Sequence, residues 1–240
     1  MSSDATPGTP KYYLVKREIL GLLKDLQPGT LIPTERTLAQ TYATSRTTVR
    51  LAISELVAEG KLGRIQGHGT FVAPPKVTHV RQLTSFSEDA RMQGLTPGST
   101  LVALDVVKAV QEVADRLGLA TGDPVTRLER IRLIEGAPLA HEVAWLPGKL
   151  PRFKAGLERT GSLYVVLKDV YGISVAEVED TVETALAGPD DVRVLGIEMG
   201  APLLVVHRLA RNDDGVPVEW THSTFRGDRF RFVSRVKAGN

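Results

Sequence analysis

Two stretches of the chain, LGLATGDPVTRLERIRLIEGAPL at 117–139 and LGIEMGAPLLVVHRLARNDDGVPV at 195–218, align with one inserted residue. Each carries L-G-x3-G-x-P, an alternating apolar run, an arginine, a glycine-containing turn and x-P. Each also follows a short helical run, VADRL or DVRVL. A helix that stops at glycine and feeds two alternating runs across a turn is a helix plus a β-hairpin. Two copies constrain this part of the chain to a pseudo-twofold antiparallel sheet with helices packed on it. The run SVAEVEDTVETALA at 174–187 predicts a further long strand, and GDRFRFVSRV another. The fold class expected for the whole chain is α+β.

The 240 residues suffice for two modest domains. Cysteine is absent, which excludes disulfides and thiolate metal sites and is compatible with a reducing cytosol. No apolar run approaches the roughly 18 residues of a membrane span. MSSDATPGTP has neither the basic nor the apolar region of a signal peptide and reads as a disordered tail over residues 1–10. A cytoplasmic location without a membrane partner is expected. The net charge of +2 is unevenly divided: residues 1–76 hold ten Lys/Arg against six Asp/Glu, the remainder twenty against twenty-two. A basic module joined to a mildly acidic one points to a polyanion partner for the first.

Residues 11–75 explain that charge. Val15, Ile19, Leu22, Leu23 and Leu26 form a helical stripe that Pro28 and Gly29 stop. Thr34 caps a short second helix with Glu35 in its first turn, and Ser45 caps a third. In the third, Val49, Ala52, Ile53, Leu56 and Val57 make one apolar stripe. Arg46, Thr47 and Arg50 lie off it at the helix head. Helix, turn, and a helix with a cationic head is helix-turn-helix geometry, able to enter a DNA major groove N-terminus first. The arginine fork suits guanine edges and phosphates. KLGRIQ and TFVAP then flank Gly67, His68 and Gly69 as a hairpin wing.

LIPTERTLAQTYATSRTTVRLAISELVAEGKLGRIQGHGTFV resembles the winged-helix domain of the GntR regulators, especially the HutC subfamily. The resemblance implies that Arg36, Arg46, Thr48 and Arg50 contact double-stranded DNA, with Gly67 at the wing tip. Leu51 stands where many members carry glutamine. His68 replaces a frequent lysine or arginine, exchanging a fixed charge for an imidazole.

APPKVTHVRQL lacks helical periodicity and reads as an extended linker, placed at 76–83, with the second domain at 84–240. Ser85 and Glu88 form a capping box; the helix it opens is either an anion-binding start or simply well capped. Arg130 and Arg132 alternate with Ile131 and Leu133, so both share one strand face, and Glu142 lies on the returning strand. Two like charges there repel unless something negative intervenes: local acids such as Glu129 or Glu183, or a bound anion. LTSFSEDARMQG, RLERIRLIEGAPLAHE, SLY, EVEDTVET and EW…FRGDRFRF resemble the UTRA effector-binding domain of HutC-type regulators, whose fold is chorismate-lyase-like. In the amino-sugar-responsive members the resemblance puts a phosphate on Ser87, Arg130, Arg132, Ser162 and Tyr164, and sugar groups on Glu142. Phe86 and Glu219 complete the expected effector set, with Phe225 in place of a common tyrosine.

The resemblance therefore implies a homodimeric regulator, a repressor, binding a pseudo-palindromic operator under control of N-acetylglucosamine 6-phosphate or glucosamine 6-phosphate. Urocanate, another sugar phosphate or a fatty acid is the alternative effector, and a chorismate-lyase-like enzyme the alternative class. No catalytic residues, metal or cofactor are expected: the histidines lack ligand spacing, no phosphate or dinucleotide fingerprint is present, and RGD at 226–228 lies in a strand context.

Overall fold

The computed structural model describes residues 9–65, 68–80 and 84–234. Residues 1–8 of the expected tail lie outside that range. The chain divides into two compact units, residues 1–76 with 227–229, and residues 77–226 with 230–240.

In the first unit α1 (Lys11–Leu23), α2 (Glu35–Thr41) and α3 (Arg46–Ala58) surround one core. The Thr34 side chain accepts from the Thr37 amide and Ser45 from the Thr48 amide, so both expected caps form. The α2–α3 turn is tight enough to hold Ala43 at φ 48°, a left-handed conformation costly for a residue with a Cβ. Val49, Ala52, Ile53 and Leu56 are buried against Val15, Ile19 and Leu38. Lys16 is buried at the α1–α3 contact, and its ammonium donates to Glu55 at 2.8 Å and Glu59 at 2.5 Å. Those two carboxylates raise its pKa and keep it charged despite burial.

The wing follows as β1 (Leu62–Ile65) and β2 (Gly69–Val72), paired antiparallel with Ile65 opposite Gly69. Leu31 adds a single antiparallel bridge to Phe71, flanked by two bonds: the Ile32 amide donates to the Thr70 carbonyl and the Val72 amide to the Thr30 carbonyl, both at 2.9 Å. At Gly63 the Phe71 ring lies close over the backbone: a Cβ would come within 2.5 Å of it, so any larger residue must displace the ring.

The second unit opens with β3 (Val77–Val80), which pairs in parallel with β10 (Phe230–Val233). Lack of helical period places residues 77–80 in an extended linker; they form a strand instead. Their partner lies some 150 residues away, a pairing that no local pattern announces. Then come α4 (Phe86–Met92), β4 (Pro97–Lys108), α5 (Gln111–Leu117), β5 (Pro124–Ile134), β6 (Ala137–Pro147), α6 (Phe153–Thr160) and α7 (Leu163–Tyr171). β7 (Glu177–Leu186), α8 (Pro189–Leu195), β8 (Pro202–Arg211) and β9 (Pro217–Arg226) lead back to β10. The main sheet is antiparallel, in the order β4-β5-β6-β9-β8-β7.

That order is the repeat made visible. β4-α5-β5-β6 and β7-α8-β8-β9 are equivalent halves meeting at β6 and β9. In each, the helix ends on a left-handed glycine, Gly118 at φ 67° and Gly196 at φ 64°. The sequence reading gave no strand for 97–108, yet β4 occupies the place that symmetry with β7 requires. α5 packs on one sheet face with Val125 and Trp220, and Trp145 stacks on Trp220 at 4.8 Å. On the opposite face α6 and α7 pack over Leu128, Ala144 and Leu146. A separate cluster joins Ala90 of α4, Val77, Phe225 and Phe230.

Leu56→Ala, at a fully buried α3 position, is expected to lower the unfolding free energy of the first unit by about 2–5 kcal/mol. Leu51→Ala, on the exposed side of the same helix, should change it by less than about 0.5 kcal/mol. Urea titration followed by circular dichroism separates the two outcomes.

Candidate nucleic-acid interface and effector cavity

Arg36, Arg46, Thr47 and Arg50 are exposed, while Thr48 is half-buried. Thr48 is engaged in the α3 cap, its hydroxyl 2.8 Å from Ser45 Oγ. Arg50 does not stand alone. Its Nε lies 3.2 and 3.1 Å from the Glu35 carboxylate oxygens and its Nη2 donates to the same group at 2.9 Å. Arg64 of β1 lies 3.6 Å from that carboxylate. The Arg50 hydrogen bond holds Glu35 below the usual carboxylate range. Glu35 thus fixes one edge of the Arg50 fork and leaves the Nη1 edge for another acceptor. The sequence reading gave Glu35 only a helix-dipole role. His68 is exposed beside Gly69, which opens β2 at φ 100°; Gly67 lies outside the described residues.

The second constellation lies on the sheet face that α4 and α7 cover. Arg130 stands opposite Glu142, Glu142 opposite Ser223, and Ser223 opposite Val206, one row across four strands. One step along the same face Ala144, Thr221, Arg208 and Asp180 form a second row. Arg130, Glu142, Ser223, Val206, Thr221 and Arg208 line a cavity roofed by Phe86 and Ser87 of α4 and by Ser162 and Tyr164 at the start of α7. All nine sequence-expected effector residues, Phe86, Ser87, Arg130, Arg132, Glu142, Ser162, Tyr164, Glu219 and Phe225, border it.

The charges divide into paired and unpaired. Arg130 donates from Nε to Glu142 at 3.0 Å, and its Nη2 reaches the same oxygen. Arg130 therefore finds its carboxylate on β6, not at Glu129 or Glu183 as the local-acid reading supposed. Glu129 bonds Arg127 and His141 instead. Burial pushes Glu142 up, but the adjacent Arg130 and Arg132 outweigh it and leave its pKa lowered. Arg132 is 2% exposed. One Nη2 donates to Ser87 Oγ at 2.9 Å and its guanidinium lies 4.4 Å from the Phe86 ring centroid, yet Nε and Nη1 have no partner. Burial, with Arg130 beside it, pulls its pKa down to about 9, so it stays cationic at neutral pH. The Ser87 hydroxyl in turn donates a hydrogen bond to the Gly161 carbonyl at 3.1 Å, and Ser162 Oγ sits 3.3 Å from Ser85 Oγ.

At the other end Glu219 is 3% exposed with Oε2 unpartnered. Burial and the nearby Glu142 push it up to about 7. Phe225 lies in the Arg132 row, across Ala140, and stacks on Phe230 at 3.9 Å with a ring that offers no hydroxyl. Sequence reasoning missed Arg208, Asp180, Thr221 and Ser223. For Arg208 the signal was present, since the repeat superposes it on Arg130. A buried arginine with two unanswered donors and a buried carboxyl with an unanswered oxygen make a site for a ligand bearing an anion and a polar group apart from it.

A winged helix-turn-helix head joined to a sheet domain whose cavity holds buried arginines and carboxylates is the build of a ligand-responsive DNA-binding protein. Residues 13–72 match the bacterial regulatory proteins of the gntR family and residues 92–231 match the UTRA domain. The chain is 34% identical over 227 residues to the HTH-type transcriptional repressor NagR of Bacillus subtilis, covering 93% of each. It is 32% identical to the HTH-type transcriptional repressor PhnF of Mycolicibacterium smegmatis, over 100% of this chain and 98% of that one. The crystal structure of PhnF from Mycobacterium smegmatis superposes with a TM-score of 0.64, covering 94% of this chain and 100% of that one. The chain belongs to the GntR family and carries a UTRA domain: it is a DNA-binding transcriptional regulator, not an enzyme. Among the described residues no helix is long and apolar enough to cross a membrane.

A carboxyl whose pKa is raised on folding binds its proton more tightly in the native state, so its contribution to stability is lost as pH rises from the unfolded value to the folded one. Glu219 should therefore cost stability progressively between about pH 4.5 and 7, by at most roughly 3 kcal/mol. Thermal denaturation of Glu219→Gln against the parent should show a gap in favour of the variant that widens across that window and is constant above it.

Proposed function

We propose that the protein is a homodimeric repressor that binds a pseudo-palindromic operator through Arg36, Arg46, Thr47, Thr48 and Arg50, with Gly67, His68 and Gly69 at the wing. Dimer symmetry imposes matching symmetry on the two half-sites. Its effector is a small phosphorylated amino sugar, N-acetylglucosamine 6-phosphate or glucosamine 6-phosphate. The observation that carries this reading is Arg132: buried, cationic, and holding two unanswered N–H donors beside the hydroxyls of Ser87 and Ser162. A phosphate answers several such donors at once. Glu142 and Glu219 supply acceptors for hydroxyl or amide groups at the other end. The similarity to NagR, a named repressor, supports the same direction.

Effector need not touch DNA. It has only to favour one arrangement of the paired heads, and a coupling of about 1–3 kcal/mol changes operator affinity by roughly 5- to 150-fold. The chain leaves the first unit through β3 and reaches the cavity roof at Ser85, so residues 74–83 are the segment proposed to carry that coupling.

Arg46→Ala is expected to weaken operator binding by about 1–3 kcal/mol and to reduce the salt slope by about 1 if the contact is to phosphate. Fluorescence anisotropy at several salt concentrations reads both, and unchanged affinity removes Arg46 from the interface. Arg130→Ala with Arg132→Ala should leave operator binding intact while abolishing the thermal shift given by N-acetylglucosamine 6-phosphate. Equal shifts in parent and variant would refute the pocket assignment.

A further inference from the structure

A second cavity lies beside the first, and the amino-sugar reading makes no use of it. It is a groove between α4, α6 and the edge strand β4, with Arg130 of β5 on its floor. Ser87 and Arg130 border both spaces. Arg132 and Glu142 border only the first, and Ser99 and Gly161 only the second. Register accounts for this arrangement. Leu101 stands opposite Arg130 and Ser99 opposite Arg132, so β4 continues both arginine rows beyond the effector cavity.

The wall between the two spaces is built from hydrogen bonds. Arg132 Nη2 donates to Ser87 Oγ at 2.9 Å, and that hydroxyl donates to the Gly161 carbonyl at 3.1 Å. The chain thus runs from a residue of the first space to a residue of the second. Arg130 completes the wall. Its Nε and Nη2 are spent on Glu142, and its Nη1 makes no hydrogen bond among the described residues. The enclosed atoms that lack a partner include Nε and Nη1 of Arg132 but no atom of Arg130, although Arg130 is 6% exposed. Its Nη1 therefore opens on free space. A guanidinium edge so placed is a donor for an oxyanion.

Two further cations line the groove. Arg91 lies four residues beyond Ser87 on α4, hence on the same helix face. It is exposed, and its side chain has no hydrogen bond or ion pair among the described residues. Lys154 of α6 has Glu158 at 4.0 Å, one turn on, with the two side chains 64% and 65% exposed. An exposed pair of that length is worth little in water and yields to a better acceptor. Three cations and one carboxylate therefore line the groove, and the cations come from three different elements. Ser99 adds an exposed hydroxyl. A planar carboxylate presents two oxygens on one side. A phosphate presents oxygens in several directions, which is what donors converging from a floor and two walls can answer.

We propose that the groove between α4, α6 and β4 is an outer phosphate subsite, held by Arg91, Lys154 and the open edge of Arg130, which extends the binding site beyond a single anionic group. Its phosphate is a free ion beside the effector or the second phosphate of a ligand that crosses the wall. The inference goes beyond the amino-sugar reading and does not depend on it, because neither Arg91 nor Lys154 belongs to the effector cavity.

The test uses the full-length protein and its backbone amide NMR signals. Gly98, Ser99 and Gly161 report the groove; Ser223 and Phe225 report the effector cavity. Inorganic phosphate is titrated at constant ionic strength, first alone and then with N-acetylglucosamine 6-phosphate at saturation. The expected result is a saturable shift of the groove amides in both titrations, with the cavity amides still in the second. In the double variant Arg91→Ala with Lys154→Ala the phosphate midpoint at the groove should rise by about tenfold or more, and Arg91→Lys, which keeps the charge, should recover most of the loss seen in Arg91→Ala. Both side chains are exposed, so the fold is kept. Pyrophosphate separates the two sources. One midpoint shared by both sets of amides means that a single ligand straddles the wall, separate midpoints mean a free ion, and each supports the subsite. Groove amides that stay still in every titration, that drift without saturating, or that keep their midpoint in the double variant overturn it. Should N-acetylglucosamine 6-phosphate move neither set, the amino-sugar reading falls, and the phosphate titration of parent against double variant still decides the groove.

Discussion

The guanidinium of Arg132 is the charge around which the second unit is arranged. Shut between sheet and roof, it has given up hydration and recovered one serine hydroxyl and one aromatic face. A cation in that position is tolerable only where negative charge stands near it, and the surrounding residues supply it at a distance. Glu142 is committed to Arg130, and Glu219 reaches no donor with its second oxygen. Burial of a charge without a full set of partners costs several kcal/mol in an ordinary core. Here the deficit is concentrated in one cavity, with unanswered donors at one end and an unanswered acceptor at the other. That separation of unmet hydrogen bonds is a template for a ligand with its own charge and polarity spaced to match.

The sheet makes the template rigid. Because β6 and β9 are both central strands, Glu142, Thr221 and Ser223 are each held by ladders on two sides; wall residue Glu219 is paired only with β8. The cross-strand rows set the order of groups as firmly as the hydrogen bonds between them: arginine, glutamate, serine, then an apolar residue. The roof has no such ladder. It consists of a capped helix of about two turns, α4, and the first turn of α7, joined to the floor by side chains: Arg132 to Ser87, and Arg208 to the Thr84 carbonyl. A ligand that competes for those side chains acts on the less constrained layer. This gives the proposed coupling a physical basis, since the roof follows directly in the chain from β3.

Much of this was legible in the sequence because the determining patterns are local. Thr34 and Ser45 sit at caps whose chemistry is complete within three residues, and the α3 stripe is an i, i+3, i+4 repetition. The internal repeat foretold two helix-plus-hairpin units, and they form as such. What escaped notice is nonlocal. The strand at Val77–Val80 needs Phe230–Val233 beside it, so its four residues looked like a tether. β4 has no counterpart in the repeated text, though the symmetry of the fold demands it. Three of the five histidines, His141, His207 and His222, stand on one sheet face because alternation and register bring them there, not because of any spacing along the chain. Gly67, expected at the wing tip, lies outside the described residues.

The two arginines of the repeat show why duplicated structure does not mean duplicated function. Arg130 and Arg208 occupy equivalent strand positions and point into the same space, but their neighbours differ. Across from Arg130 the β6 residue is Glu142; across from Arg208 the β9 residue is Thr221. That difference sends one guanidinium to an acid inside the cavity and the other to Asp180 on the sheet edge. One half of the pseudo-twofold thereby keeps its carboxylate on the cavity wall, and the other keeps its carboxylate behind the arginine. A symmetric cavity would bind a symmetric ligand in two orientations. The broken symmetry distinguishes one end from the other, and a cavity with a defined direction is what an effector with an anionic end and a neutral end requires.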